Sequence, residues 1–394
     1  MTKQSLLLSV LLCCLSNPAF ASYSYIRSIT VNAAQVNNNT GSLTQFPILV
    51  CGNSSAGFCT ASVSGMATVA NGGHVQNSSG YDIIFSTDAA CSNKLNWEIE
   101  KYVATTGEFE AWVSNPSTPL SGTSNTTFYM CYGNAAITSP LNTPTAVWDS
   151  HYVGVYHFSS GALGQGTEST TTGANVTFTG SGGDGNNFGA GYVGGIDGNE
   201  AGYGNSYGVA AGNIPAFNFT TGNFSVEWWQ TENAQSPQIP VLQGSYNNVG
   251  WYVYENGADL YFTTQNGGQA ALIASGIIPL NTWALFSTVK TGSTTGLIYK
   301  NGVSQATSGS LQNPGNDTSD TFSLASCGNS CSPIFGAMDE ARISNIARSG
   351  GWITTEYNNE SAPASFYSMG SETAPQTSSV IAGNSVIAGN SVIN

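Results

Sequence analysis

The chain offers few groups able to do chemistry, and their spacing limits what they could do. Two glutamate pairs stand two residues apart, Glu98/Glu100 and Glu108/Glu110. Alternation along an extended strand puts each pair on one face. Paired carboxylates about 5–5.5 Å apart are the machinery of a retaining glycosidase. Neither pair carries a third acidic partner, so the expectation is a solvated strand face and no catalytic residue. The string Gly204-Asn205-Ser206-Tyr207-Gly208 has the spacing of a nucleophile elbow, which needs a strand-to-helix turn and a histidine base. The three histidines, His74, His151 and His157, all precede it and no helix pattern follows, so the match reads as chance.

Binding chemistry is better represented. Trp229, Trp251, Tyr252 and Tyr254, with Tyr261, crowd the middle of the second half among neutral polar residues. Sugars pack C–H faces on aromatic rings and offer hydroxyls to Asn, Gln and Asp, so these rings are the candidate ligand-binding residues. Trp228 and Trp283 are expected in the core. Hard oxygen ligands suited to Ca²⁺ occur in turn-rich stretches: Asp184, Asn186, Asp197 and Asn199, then Asn316, Asp317 and Asp320. Asp197, Asn199 and Asp317 are the calcium candidates, without a strict loop motif. Asp339, Glu340 and Arg342 lie in one run. Alternation sets Glu340 and Arg342 on one face and Asp339 on the other, an arrangement read as structural.

Composition narrows the class. Only 8% of the 394 residues are charged, against about 25% in ordinary globular proteins. The surface must therefore be built from Asn, Ser, Thr, Gln and Gly. Net charge is −14, and the eight basic residues are scattered. No basic stripe exists to neutralise phosphates, which argues against nucleic acid and against anionic membrane.

Residues 1–21 read as a secretory signal: Lys3, an apolar run from Leu6 to Leu15, and Ala19-Phe20-Ala21 as a small-x-small cleavage site. No later apolar run approaches the length needed to span a bilayer, so the product is expected to be secreted or held at the cell surface. Six cysteines follow the signal, and their even distribution favours disulfides. The expected pairs are Cys51–Cys59, Cys91–Cys131 and Cys327–Cys331, although the first four cysteines allow three connectivities.

Short alternating runs punctuated by Asn-Gly, Gly-Gly and Ser-Gly steps predict an all-β protein of two sandwiches. Residues 22–146 form the first region. The runs FPILV (46–50), GYDIIFSTD (80–88), LNWEIEKY (95–102), GEFEAWV (107–113) and NTTFYMCYGN (125–134) resemble, in order, an exported bacterial module known as domain of unknown function 2341. That resemblance implies no activity. Cys131 departs from its pattern, where an aromatic residue is usual.

Residues 147–372 form the second region. Its opening (AVWDSHYVGVYHFSSG, 146–161), FSVEWWQ (224–230), TWALFSTVK (282–290), LIYKNGVSQA (297–306) and the closing run 336–370 are similar to laminin-G-like, concanavalin-A-type jelly rolls. Asn301-Gly302 suits the two positive-φ positions of a type I′ hairpin. Residues 373–394 end in the repeat VIAGNS-VIAGNS-VIN, too few hexads to stack into a solenoid. They read as a flexible tail, or as a strand for self-assembly on a partner's edge.

The resemblance implies a non-catalytic protein that binds a polysaccharide or glycoprotein. A structural component of a surface layer, appendage or fibre is the alternative, and a glycoside hydrolase the second.

Overall fold

A computed structural model describes residues 23–37, 42–52, 59, 62–114, 118–157, 169–173, 212–318, 322–325, 334, 336 and 338–374, with the backbone alone of short strands between 165 and 192, of 208–211 and of 337. The signal-like segment, Cys327, Cys331, Asp184, Asn186, Asp197, Asn199, Asp320 and the hexad tail lie outside the described residues.

The described chain is antiparallel β, as the alternation predicts. In the first region, Tyr25–Val31 pairs with Thr126–Tyr132, which pairs with Ile84–Ser86. A second sheet orders Ile48–Gly52, Glu108–Ser114 and Asn96–Val103. Ile29, Val50, Phe85, Phe109 and Met130 fill the space between them, each with negligible exposure. Cys51–Cys59 and Cys91–Cys131 form as expected.

The second region is a sandwich. A six-stranded sheet runs Val303–Ser304, Gly296–Lys300, Ala284–Lys290, Phe224–Glu232, Gly336–Ser344, Tyr152–Tyr156. A nine-stranded sheet faces it and includes Gln238–Ser245, Val249–Asn256 and Asp259–Asn266. In Phe224–Glu232, alternation sends Phe224, Val226 and Trp228 into the shared core with Trp251, Phe262 and Ile343. Asn301 and Gly302 have φ of 51° and 75° and join Gly296–Lys300 to Val303–Ser304, the hairpin their dipeptide predicts.

The six-stranded sheet's outer face is also buried. Helix Gly350–Ser361 lies over it. Ser349 caps this helix by accepting from the Trp352 N–H at 3.1 Å, and Pro363 follows its end, where a further turn would lack a donor. Its buried residues, Trp352, Ile353, Thr355, Glu356, Asn359 and Glu360, recur at the three- and four-residue spacing of one helix face.

The chain then returns to the first region. Tyr367–Met369 pairs with Tyr25–Val31. Asn359 both accepts from the Leu49 N–H and donates to the Leu49 C=O, at 2.7 and 3.1 Å. The Tyr367 hydroxyl does the same at Cys51, at 2.9 and 3.1 Å. These side chains satisfy the Ile48–Gly52 edge, whose free backbone groups would otherwise invite another strand.

Candidate functional site

Two places gather side chains with chemistry. The first is the outer face of the nine-stranded sheet. Trp251 and Val253 point into the core, so alternation turns Tyr252 and Tyr254 the other way. Tyr254 sits directly across from Tyr261, and Tyr252 across from Thr263. The Tyr254 and Tyr261 rings meet at 5.5 Å, and Tyr246 stands edge-on to Tyr252 at 5.3 Å. Tyr246 is exposed, Tyr254 and Tyr261 are half-buried, and Tyr252 is buried beneath them. Burial pushes the Tyr252 hydroxyl up to about 12, so it remains a neutral hydrogen-bonding group. Asn247 and Gln269, both exposed, hydrogen-bond beside these rings.

The four ring residues expected to bind ligand therefore separate. Tyr252 and Tyr254 share this face. Trp251 is wholly buried in the sandwich core, its indole N–H donating to the Phe217 carbonyl at 2.8 Å. Trp229 is buried on the opposite sheet, under the helix. Neither presents a ring to solvent, because sequence proximity does not tell which sheet or which face a ring will occupy. Trp228 is core as expected, and Trp283 is half-buried.

The second place is the junction between the first region's three-stranded sheet and the six-stranded sheet. The glutamates expected on a solvated face lie here instead. Side-chain exposure is 1% for Glu100 and for Glu110, 11% for Glu108 and 12% for Glu98. The physical reason is that a second layer covers that strand face, which no single-strand pattern reveals.

Four indole N–H groups each donate to a carboxylate that is buried or, for Glu98, nearly so. Trp112 reaches Glu100 at 2.8 Å, Trp148 Glu98 at 3.2 Å, Trp229 Glu360 at 2.6 Å and Trp352 Glu356 at 3.0 Å. Arg342, with no exposure, donates to Glu340 at 2.7 Å and Glu360 at 2.6 Å, and its guanidinium lies 4.7 Å over the Trp112 ring. Asp339 accepts from the Glu340 backbone N–H at 2.8 Å. His157 Nδ1 stands 2.9 and 3.0 Å from the two Glu340 oxygens and 3.7 Å from Glu100 Oε2, and its Nε2 is 3.5 Å from Glu98 Oε2.

Burial sets the electrostatics. It raises Glu100 to about 8 and Glu110 to about 10, with neighbouring carboxylates adding to the rise. Asp339 moves well up for the same reasons. For His157 burial opposes the cation, yet Glu340, Glu100 and Glu98 outweigh it and hold the imidazole well above its usual range. Glu340 moves the other way: His157 and Arg342 overcome its burial and lower it.

The calcium candidate Asp317 is buried beside a polar hollow of about 670 Å³ that Asn213, Asn218, Thr220 and Asn316 also line. Its Oδ2 accepts from Asn213 Nδ2 at 3.1 Å. Of the elbow string, only Gly208 is described, and it begins a strand.

Among the described residues, no helix is long and apolar enough to cross a membrane. No curated protein matches the chain. Among solved structures, the binding domain of botulinum neurotoxin serotype C1 aligns at 15% identity and a TM-score of 0.38, covering 53% of this chain and 52% of that one. The binding domain of Paraclostridial Mosquitocidal Protein 1 aligns at 14% and 0.39, covering 53% and 52%. The chain thus spans about half the length of these structures. Residues 204–354 match the family model described as the Concanavalin A-like lectin/glucanases superfamily. With two facing antiparallel sheets over the same stretch, this part of the chain carries a laminin-G-like, concanavalin-A-like lectin domain.

Proposed function

We propose that the protein is an exported, non-catalytic binder of carbohydrate or glycoconjugate, and that the lectin domain makes the contact. The observation that carries this reading is the tyrosine face. Tyr246, Tyr254 and Tyr261 reach solvent from one face of the sheet, with Tyr252, Asn247 and Gln269 between and beside them. Rings supply apolar platforms with little rotamer entropy to lose, and neutral amides and hydroxyls supply orientation. Low charge suits a neutral polyhydroxylated ligand better than a phosphate-bearing one.

The disulfides support export, since such bonds persist in oxidising compartments. In this reading the first region is a module of the domain of unknown function 2341 type that holds the lectin domain rigidly. Ca²⁺ enters as a candidate at the Asp317 hollow.

A glycan array with the full chain, run with and without Ca²⁺, tests the reading. Selective retention that falls at least tenfold in Tyr254→Ala and Tyr261→Ala is expected. Retention of no glycan under either condition counts decisively against it.

A further inference from the structure

We propose that Glu100, His157 and Glu340 hold a divalent transition-metal ion, Zn²⁺ or Mn²⁺, sealed in the junction between the two regions. The site is separate from the tyrosine face and does not depend on it.

Geometry is the first ground. One donor atom from each of the three residues lies within 4.8 Å of the others. His157 Nδ1 is 2.9 Å from Glu340 Oε1 and 3.7 Å from Glu100 Oε2. Donors sharing one ion at bond lengths near 2.1 Å stand about 3.0–3.5 Å apart, so small side-chain adjustments let all three reach a common centre.

The backbone is the second ground. Both carboxylates sit at β-bulges. Against Glu108–Ser114 the register slips between Ile99 and Lys101, leaving Glu100 as the extra residue. Against Phe224–Glu232 the Gly336–Ser344 strand carries one extra residue where Glu340 lies, and Glu340 has φ of 50°. Bulges re-aim side chains beside functional sites. A left-handed glutamate persists only where its surroundings hold it. Two separate strands thus break their ladders at the residues that meet at His157.

Unmet valence is the third. Glu100 Oε1 is buried with no hydrogen-bond partner, on a side chain 1% exposed. Each proposed ligand already has an orienting neighbour: Trp112 for Glu100, Arg342 for Glu340, and Glu98 3.5 Å from the far nitrogen of His157. A carboxylate behind the second imidazole nitrogen is the usual support of a metal-bound histidine. Glu98 is itself fixed by Trp148 and by Ser169 at 2.6 Å. One nitrogen among carboxylate oxygens suits Zn²⁺ or Mn²⁺ better than Ca²⁺, which takes oxygen throughout.

The ligands' burial means that the ion enters as the regions close. The full chain should therefore be unfolded in urea, refolded with Zn²⁺ or Mn²⁺ and desalted, and its metal measured by mass spectrometry. About one ion per chain is expected, falling at least tenfold in Glu100→Gln and in Glu340→Gln but not in Glu227→Gln, a buried carboxylate outside the set. Bound Mn²⁺ should also quench indole fluorescence, since the Trp112 and Trp148 rings lie 5.6 and 5.5 Å from that of His157. Refolded wild-type protein with native circular dichroism and no retained Zn²⁺ or Mn²⁺ overturns the proposal, and leaves His157 as an imidazolium in an ionic cluster. That outcome does not require any variant to fold. Retention indifferent to both glutamine substitutions overturns it equally.

Discussion

Both carboxylate oxygens of Glu340 lie within hydrogen-bond reach of His157 Nδ1, at 2.9 and 3.0 Å, while the Glu340 backbone holds a φ of 50°. The strand that carries Glu340 belongs to the lectin sandwich, yet the carboxylate faces away from that core into the junction with the first region. Glu100 arrives from the other side, also from a bulge. The two regions therefore meet through buried ions and indoles, not through apolar packing alone.

Removing one partner of that arrangement should be costly, because the remaining charge stays buried and unpaired. Arg342→Met, which takes the nearest cation from Glu360 and leaves Glu340 with His157 alone, is expected to destabilise the chain by about 3 kcal/mol or more. Calorimetry should then show two separated transitions where the wild-type chain shows one. A single cooperative transition at an unchanged midpoint would mean that Arg342 does not couple the regions.

Stability and binding should dissociate on the nine-stranded sheet. Trp251→Ala empties a core position and is expected to cost about 3–5 kcal/mol. Tyr254→Ala, on the half-exposed face, should cost less than about 1 kcal/mol while removing glycan retention. Urea unfolding measured alongside the array distinguishes the two.

Acid and alkaline limbs should have different origins. Burial alone would raise Asp149, but Arg348, bidentate at 2.7 Å to each oxygen, outweighs it and holds the carboxyl below its usual range. That stabilisation is complete above the ordinary carboxyl pKa and is lost as pH falls through the lowered folded value. Burial raises Glu232 and drives Glu255 well up, where Gln230 bonds both. Their contribution is complete below the ordinary carboxyl pKa and is lost as pH rises through the raised values. Melting temperature against pH should fall less steeply below about pH 4 in Asp149→Asn, and less steeply on the rising side in Glu255→Gln.

Reduction should weaken the first region selectively. Cys91 and Cys131 are 40 residues apart, a loop whose closure is worth about 4 kcal/mol in the chain-entropy model. A Cys91→Ser/Cys131→Ser double variant should lower the first region's unfolding midpoint more than a Cys51→Ser/Cys59→Ser one, whose separation is 8 residues.

Much of the scaffold was legible locally. Phe224–Glu232 shows its two faces by alternation, and Asn301-Gly302 marks its hairpin, because each signal is complete within a few residues. Cys51–Cys59 and Cys91–Cys131 form as expected, but parity alone left three connectivities among those four cysteines. The junction was not legible. A strand reading Glu98-Ile99-Glu100 looks solvent-facing until a second layer is known to lie over it, and a bulge leaves no signature in alternation. Trp229 and Trp251 illustrate the same limit: both belong to aromatic runs, yet one lies under a helix and the other between sheets. Only the topology separates them from Tyr254.

The pairing of Tyr367–Met369 with Tyr25–Val31 bears on how the protein matures. Most of the chain must be made before Tyr25–Val31 gains this late neighbour, and Phe366 and Trp352 complete the core around it only then. Vectorial, start-to-finish assembly is thereby denied to the leading region, although domains generally fold in order of synthesis. The sandwich too needs Gly336–Ser344, which pairs with both Phe224–Glu232 and Tyr152–Tyr156, so both regions draw their closing strands from the last stretch of the described chain.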